Sequence, residues 1–168
     1  MSSIFESVDR FIAGTVGAPG ERAFFIQVQS SRRLTTVALE KTQVAALAER
    51  LEMVLKDLRR GDPTLYRDVQ PVDVAPLSTP IEPEFEVGSI SIAWDEVSLK
   101  MSIELFELTT GEQEAENSLK VYLSISLCDS FVKRSKALIN AGRLPCPFCS
   151  IPIDPQGHLC PRANGYRR

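Results

Sequence analysis

The chain has 168 residues, 43% of them hydrophobic and 24% charged, with a net charge of −3. Those values fit one globular domain with an appendage and exclude global disorder. No stretch approaches the ~20 apolar residues that cross a bilayer, and the opening MSSIFESVDRF has no basic segment leading into an apolar run; a cytoplasmic protein with no membrane association is expected.

The first half reads as strands followed by a helix. Val8 to Val16 is predicted as a strand, and GAPGE at 17–21 as a turn. Phe24, Ile26 and Val28 alternate with Phe25, Gln27 and Gln29, the period of a strand. Leu34 to Leu39 makes a third strand. A helix follows with Thr42 as N-cap, its apolar face formed by Val44, Leu47, Leu51, Val54, Leu55 and Leu58, and Gly61 and Pro63 end it. Residues 62–84 hold five prolines and read as an extended, loosely structured linker.

The second half repeats the plan. Ile90, Ile92 and Trp94 begin a strand, Asp95-Glu96 turns it, and Val97 to Leu105 alternates cleanly. GEQEAEN at 111–117 is an acidic loop. Leu119, Val121, Leu123, Ile125 and Leu127 give a third strand, and a helix is predicted from an N-cap at Asp129 or Ser130 to a C′ glycine at Gly142. Aligning Val37–Leu39 with Ile125–Leu127 suggests an internal duplication. The predicted fold is therefore α+β. Two βββα units, residues 1–61 and 85–142, would form one antiparallel sheet with both helices on one face, and residues 143–168 would follow as a zinc-binding hairpin.

That terminal segment carries the strongest chemical signal. Cys146, Cys149, His158 and Cys160 have the spacing C-x₂-C-x₈-H-x-C and include the chain's single histidine. Zn²⁺ takes four tetrahedral thiolate and imidazole ligands in structural sites, and Cys₃His is such a set. Asp154-Pro155-Gln156-Gly157 is turn chemistry that folds the two ligand pairs together. The competing reading is a redox C-x-x-C pair. Such pairs sit between a strand and a helix, and Pro152 and Pro155 forbid a helix here. Four protein ligands leave no open position for water, so one structural zinc per chain is expected rather than a catalytic one. Cys128 reads as a small buried residue, with a place in the metal site as the lesser alternative. Trp94 reads as core or hairpin packing, and Glu82, Glu84 and Glu86 as solvated.

Charge divides the chain. Residues 1–130 carry 12 basic and 21 acidic side chains, whereas Lys133, Arg134, Lys136, Arg143, Arg162, Arg167 and Arg168 face only Asp154 beyond that point. The basic end either docks on the acidic body or binds a phosphate-rich partner. Arg143, Arg162, Tyr166, Arg167 and Arg168 are the candidate partner- or anion-binding residues, since an aromatic among arginines can stack a base or insert into a protein. No phosphate loop, dinucleotide turn or nucleophile elbow is present.

The run CPFCSIPIDPQGHLCPRANGYRR with the preceding AGR, and the opening DRFIAGTVGAPGERAFFIQ, closely resemble an uncharacterised actinobacterial family, domain of unknown function 3090. The resemblance implies a bacterial cytoplasmic protein and carries over no catalytic residues. The residues favour a non-enzymatic, zinc-clasped interaction or adaptor protein with a protein partner. The alternatives are a nucleic-acid-binding protein using the basic tail, and an enzyme acting on a phosphorylated small molecule between the halves. The body's acidity disfavours nucleic acid.

Overall fold

The computed structural model describes residues 1–18, 20–66 and 69–141. Seven strands form one mixed sheet: β1 (Ser2–Phe5), β2 (Arg10–Val16), β3 (Ala23–Ser30), β4 (Arg33–Leu39), β5 (Pro83–Asp95), β6 (Lys100–Glu107) and β7 (Ser118–Leu123). Helix α1 spans Lys41–Gly61 and α2 spans Ile125–Asn140. The protein is thus α+β, as its alternating strands and amphipathic helices predict, and the helices follow β4 and β7.

The sheet order is β1-β7-β6-β5-β4-β3-β2. The expected antiparallel sheet is corrected: β4 pairs with β5 in parallel, and so does β1 with β7. The physical reason is the connection. Each parallel pair joins strands separated by a helix or by most of the chain, whereas only neighbours linked by short turns run antiparallel. β1 and β2 lie at opposite ends of this order, yet only residues 6–9 separate them. Five peptide steps from Phe5 to Arg10 reach at most about 18 Å. The sheet must therefore curl until its ends approach. A contact across the gap agrees: Arg33 at the start of β4 donates to the Ile4 carbonyl at 3.3 Å and lies 4.1 Å over the Phe5 ring.

Inward-facing strand residues and both helices share one core. Val44, Leu47, Ala48, Leu51 and Leu55 of α1 are buried, spaced as one helical face requires. In α2 the buried set includes Cys128, Phe131, Val132 and Ser135. Phe131 packs on Phe11 of β2 with ring centroids 4.8 Å apart, a contact of the kind that contributes about 1 kcal/mol beyond simple burial.

Helix starts differ from expectation. α1 is capped by Glu40, not Thr42, and α2 by Ser124, whose hydroxyl accepts from the Leu127 N–H at 3.2 Å, not by Asp129 or Ser130. Ile125 and Leu127 continue the alternation of β7 by coincidence, because positions two apart can be buried at a helix start as well. Counted from the true caps, Val44, Leu47, Ala48 and Leu51 stand where Cys128, Phe131, Val132 and Ser135 stand. The alignment from sequence was one helical turn out of register.

The connector between α1 and β5 is extended but not loose. It begins with a 3-10 turn at Pro63–Tyr66. Further on, the Gln70 and Asp73 N–H groups donate to Ser126 and Ser130 of α2 at 2.8 and 3.0 Å. Arg134 donates to the carbonyls of Asp73, Ala75 and Ala13. The strap then crosses the outer face of β2 and β3. Buried Gln27 accepts from the Ser78 N–H at 2.8 Å and donates back to its carbonyl at 2.9 Å. Leu77 lies over Gly14, where a Cβ would come within 2.4 Å of the leucine Cγ. Glycine suits that crossing because the Leu77 side chain fills the space that a Cβ would take.

Candidate functional site

β5 is 13 residues long and accompanies β4 only at its beginning, with Thr36 opposite Pro83 and Ala38 opposite Glu86. β4 then turns into α1 while β5 continues beside β6. A bulge at this point, between Val87 and Ile90, inserts one extra residue and switches the inward side chains from Phe85 and Val87 to Ile90, Ile92 and Trp94. Gly88 sits in the bulge, where a Cβ would meet the Leu108 Cα at 2.9 Å.

The divergence of β4 and β5 opens a fork-shaped cavity of about 620 Å³, lined by Arg22, Phe24, Leu39, Lys41, Gln43 and Gly88 among others. Gln43 holds its base. Its carboxamide oxygen accepts from the Glu40 N–H at 2.7 Å, and its nitrogen donates to the Val87 and Gly88 carbonyls at 2.8 Å each. The helix start is thereby pinned to the bulge. Arg22 lies 5.1 Å over the Phe24 ring and donates to the Leu138 carbonyl in the last turn of α2 at 2.9 Å. The wall of the fork therefore meets the point where the chain leaves α2.

The lining carries Arg22 and Lys41 against Glu40 and Glu86. That balance suits an amphipathic or peptide-like ligand better than a strongly charged one. Among the described residues that line it, no nucleophile stands beside a base. Cys128 is the one free thiol among the described residues, and burial pushes its pKa up, which leaves it protonated and inert. Burial, reinforced by Asp129, likewise pushes the Tyr66 phenol up to about 12, and it donates to the Leu55 carbonyl. Among the described residues no three His, Cys, Asp or Glu side chains cluster as a metal site.

Cys146, Cys149, His158 and Cys160 lie outside the described residues, as do Gly142, Arg143, Arg162, Tyr166, Arg167 and Arg168. Three thiols and an imidazole remain a donor set that fits Zn²⁺ by its chemistry. The basic residues of α2 form no open cationic surface. Lys133 pairs with Asp129, Lys136 with Glu52, and Arg134 is engaged by the strap. Glu82, Glu84 and Glu86 are exposed, as expected, and Trp94 is half-buried against the core. Two residues of the fork carry signals in the sequence itself. Gln43 lies three positions after Glu40, the spacing of a capping box, and a lone glycine inside an alternating strand marks a bulge.

These features define a small α+β protein with a curled mixed sheet and a ligand-sized fork. Among the described residues that fork brings together no catalytic constellation. The chain belongs to the family described as "Protein of unknown function (DUF3090)", whose model matches residues 3–160. No curated protein and no solved structure matches it. No helix among the described residues is long and apolar enough to cross a membrane.

Proposed function

We propose that this protein is a non-enzymatic interaction or adaptor protein of the cytoplasm, clasped by one structural zinc ion and acting on a protein partner. The sheet and helices are the scaffold. Cys146, Cys149, His158 and Cys160 hold the zinc, which supplies folding energy to a segment too short for a core of its own. The observation that carries the reading is the donor set and its spacing. It includes every histidine of the chain and three of its four cysteines, and the family match extends through all four positions. A reducing compartment is part of the proposal, because those thiolates bind metal only when not oxidised. The balanced charge of the described lining, Arg22 and Lys41 against Glu40 and Glu86, supports binding of a partner segment. The similar plan of the two halves, with matching buried positions in α1 and α2, supports their origin by duplication.

A second reading draws on Arg22 and Lys41 beside the first turn of α1, a setting that suits a small phosphorylated ligand. Metal analysis of the purified protein tests the first reading, with one zinc per chain expected. Calorimetric titration with phosphorylated and unphosphorylated small molecules separates the two. Binding that Arg22→Ala abolishes would favour the second.

A further inference from the structure

The fork carries opposite charge on the two faces of the sheet. Gly14, Phe25, Ala38 and Glu86 lie in one row across β2, β3, β4 and β5, each opposite the next. Residues directly opposite one another point to the same side of a sheet. Gly14 marks that side as the outer one, because Leu77 of the strap lies on it. Phe85 and Val87, before and after Glu86, are buried on the inner side, and Glu86 itself is exposed. Glu40 stands two residues beyond Ala38 with an extended backbone, φ −85° and ψ 155°, so it too points outward. The outer mouth of the fork is therefore framed by two carboxylates.

Arg22 stands on the inner side. Its guanidinium lies 5.1 Å over the ring of Phe24, a buried core residue. It also donates to the Leu138 carbonyl of α2, the helix that packs on the inner face through Phe131 and Phe11. Lys41 at the start of α1 adds a second cation to the lining. The wall between the two mouths is apolar, made by the buried side chains of Phe24, Leu39 and Val87. The frame is fixed from two directions. Gln43 holds the Val87 and Gly88 carbonyls, and the Glu86 carbonyl accepts from the Leu108 N–H at 2.7 Å. A frame held in this way costs little to organise when a ligand binds.

Charges on opposite faces of one sheet stand about 10 Å apart, the thickness of a packed layer. An extended peptide advances about 3.3 Å per residue. About three residues therefore span the distance, and a single amino acid, with both charges on one residue, does not. The cavity volume of about 620 Å³ falls among pockets of roughly 300–1,000 Å³ that enclose small ligands. We infer that the fork binds a stretch of about three apolar residues in extended form, with a positive group at its outer end beside Glu40 and Glu86 and a negative group at its inner end on Arg22. Phe24, Leu39 and Val87 receive its side chains. This rests on the reading of the fork as the seat of a partner segment and gives that segment a length and a polarity. A free tripeptide offers this chemistry, and so do three apolar residues of a longer chain set between a lysine and a glutamate.

The test is calorimetric titration of the full chain with Leu-Val-Leu, with acetyl-Lys-Leu-Val-Leu-Glu-amide, and with acetyl-Gln-Leu-Val-Leu-Gln-amide as neutral control. At least one charged probe should bind about tenfold or more tightly than the control. Tighter binding of the free tripeptide identifies a peptide with free ends as the ligand, and tighter binding of the flanked probe identifies a segment of a partner. Arg22→Gln and Glu86→Gln should each weaken the charged probe about tenfold and leave the control as it was. Amide shifts on binding should centre on Phe24, Leu39 and Gly88. Charged probes that bind no better than the control, or not at all, would overturn the inference, and so would shifts that fall away from the fork. Glycerol 3-phosphate that displaces the peptides, and is itself lost in Arg22→Gln, would overturn it in favour of a phosphorylated ligand. Zinc is measured on the same samples: zinc-loaded protein indifferent to every probe refutes only this inference, and peptide binding by zinc-free protein refutes only the metal reading.

Discussion

Replacing Gly14 by alanine should pit the strap against the sheet. The new methyl would sit 2.4, 2.5 and 2.8 Å from Cγ and the two Cδ atoms of Leu77. No carbon pair tolerates those separations, so Leu77 must rotate out or the strap must lift. Overpacking of this kind costs about 1–3 kcal/mol. Lifting would also strain the paired hydrogen bonds between Gln27 and Ser78. Leu77 is half-buried, so Leu77→Ala alone should cost about 1–2 kcal/mol, below the range for a fully buried leucine. In the double variant the alanine methyl at 14 occupies room that Leu77 has vacated. Its cost should therefore fall at least about 1 kcal/mol below the sum of the single costs. Urea unfolding of the four proteins, followed by circular dichroism, gives the coupling. Additivity within about 0.5 kcal/mol would mean that Leu77 does not press on Gly14, and the account of the strap would be wrong.

Other outcomes follow from the same contacts. Arg134→Ala removes three carbonyl partners, those of Ala13, Asp73 and Ala75, and should destabilise the fold by about 2–4 kcal/mol in denaturant titrations; a loss under about 0.5 kcal/mol would show the strap to be held elsewhere. The hydrogen bond from Arg10 holds the Asp73 carboxyl below the usual carboxylate range. Its folded pKa is lower than its unfolded one, so its contribution is complete above about pH 4 and is lost as pH falls toward the folded value. Asp73→Asn should flatten that part of the stability–pH curve, and an unchanged acid limb would contradict the pairing. Cys146→Ser should release zinc and make residues 142–168 sensitive to protease, and an intact segment in metal-free protein would refute the clasp. Oligonucleotide binding at physiological salt should be negligible; micromolar affinity lost in the Arg162→Ala/Arg167→Ala/Arg168→Ala variant would instead favour nucleic acid as partner.

How legible this molecule is from its sequence depends on the range of each interaction. β3, β4 and β6 alternate cleanly because one face of each is buried, and their positions were readable to within a few residues. β1 was invisible, since Ser2–Phe5 is too short to carry a period and exists because β7 lies beside it. The start of α2 was misplaced because Ile125 and Leu127 satisfy both periods. The prolines of the linker constrain φ but say nothing of the Gln27, Ser126 and Ser130 side chains that bind its backbone. The fork arises where two strands cease to pair, a property of register that no local window contains.

The joint between β1 and β2 also bears on how the chain acquires its shape. Ser2 finds its partner at Ser118, so β1 is made before β2 but secured only after β7. Closing so long a loop costs about 3 kcal/mol more than closing a tight hairpin, by the logarithmic dependence on length. As the polypeptide emerges from a ribosome, the hairpins β2–β3–β4 can assemble early, while Phe11 and the N-terminal strand wait for α2 and β7. Until then the apolar side chains of Phe5, Phe11 and Ala13 stand uncovered. Slow synthesis, or a crowded nascent population, would find this protein most prone to mispairing there.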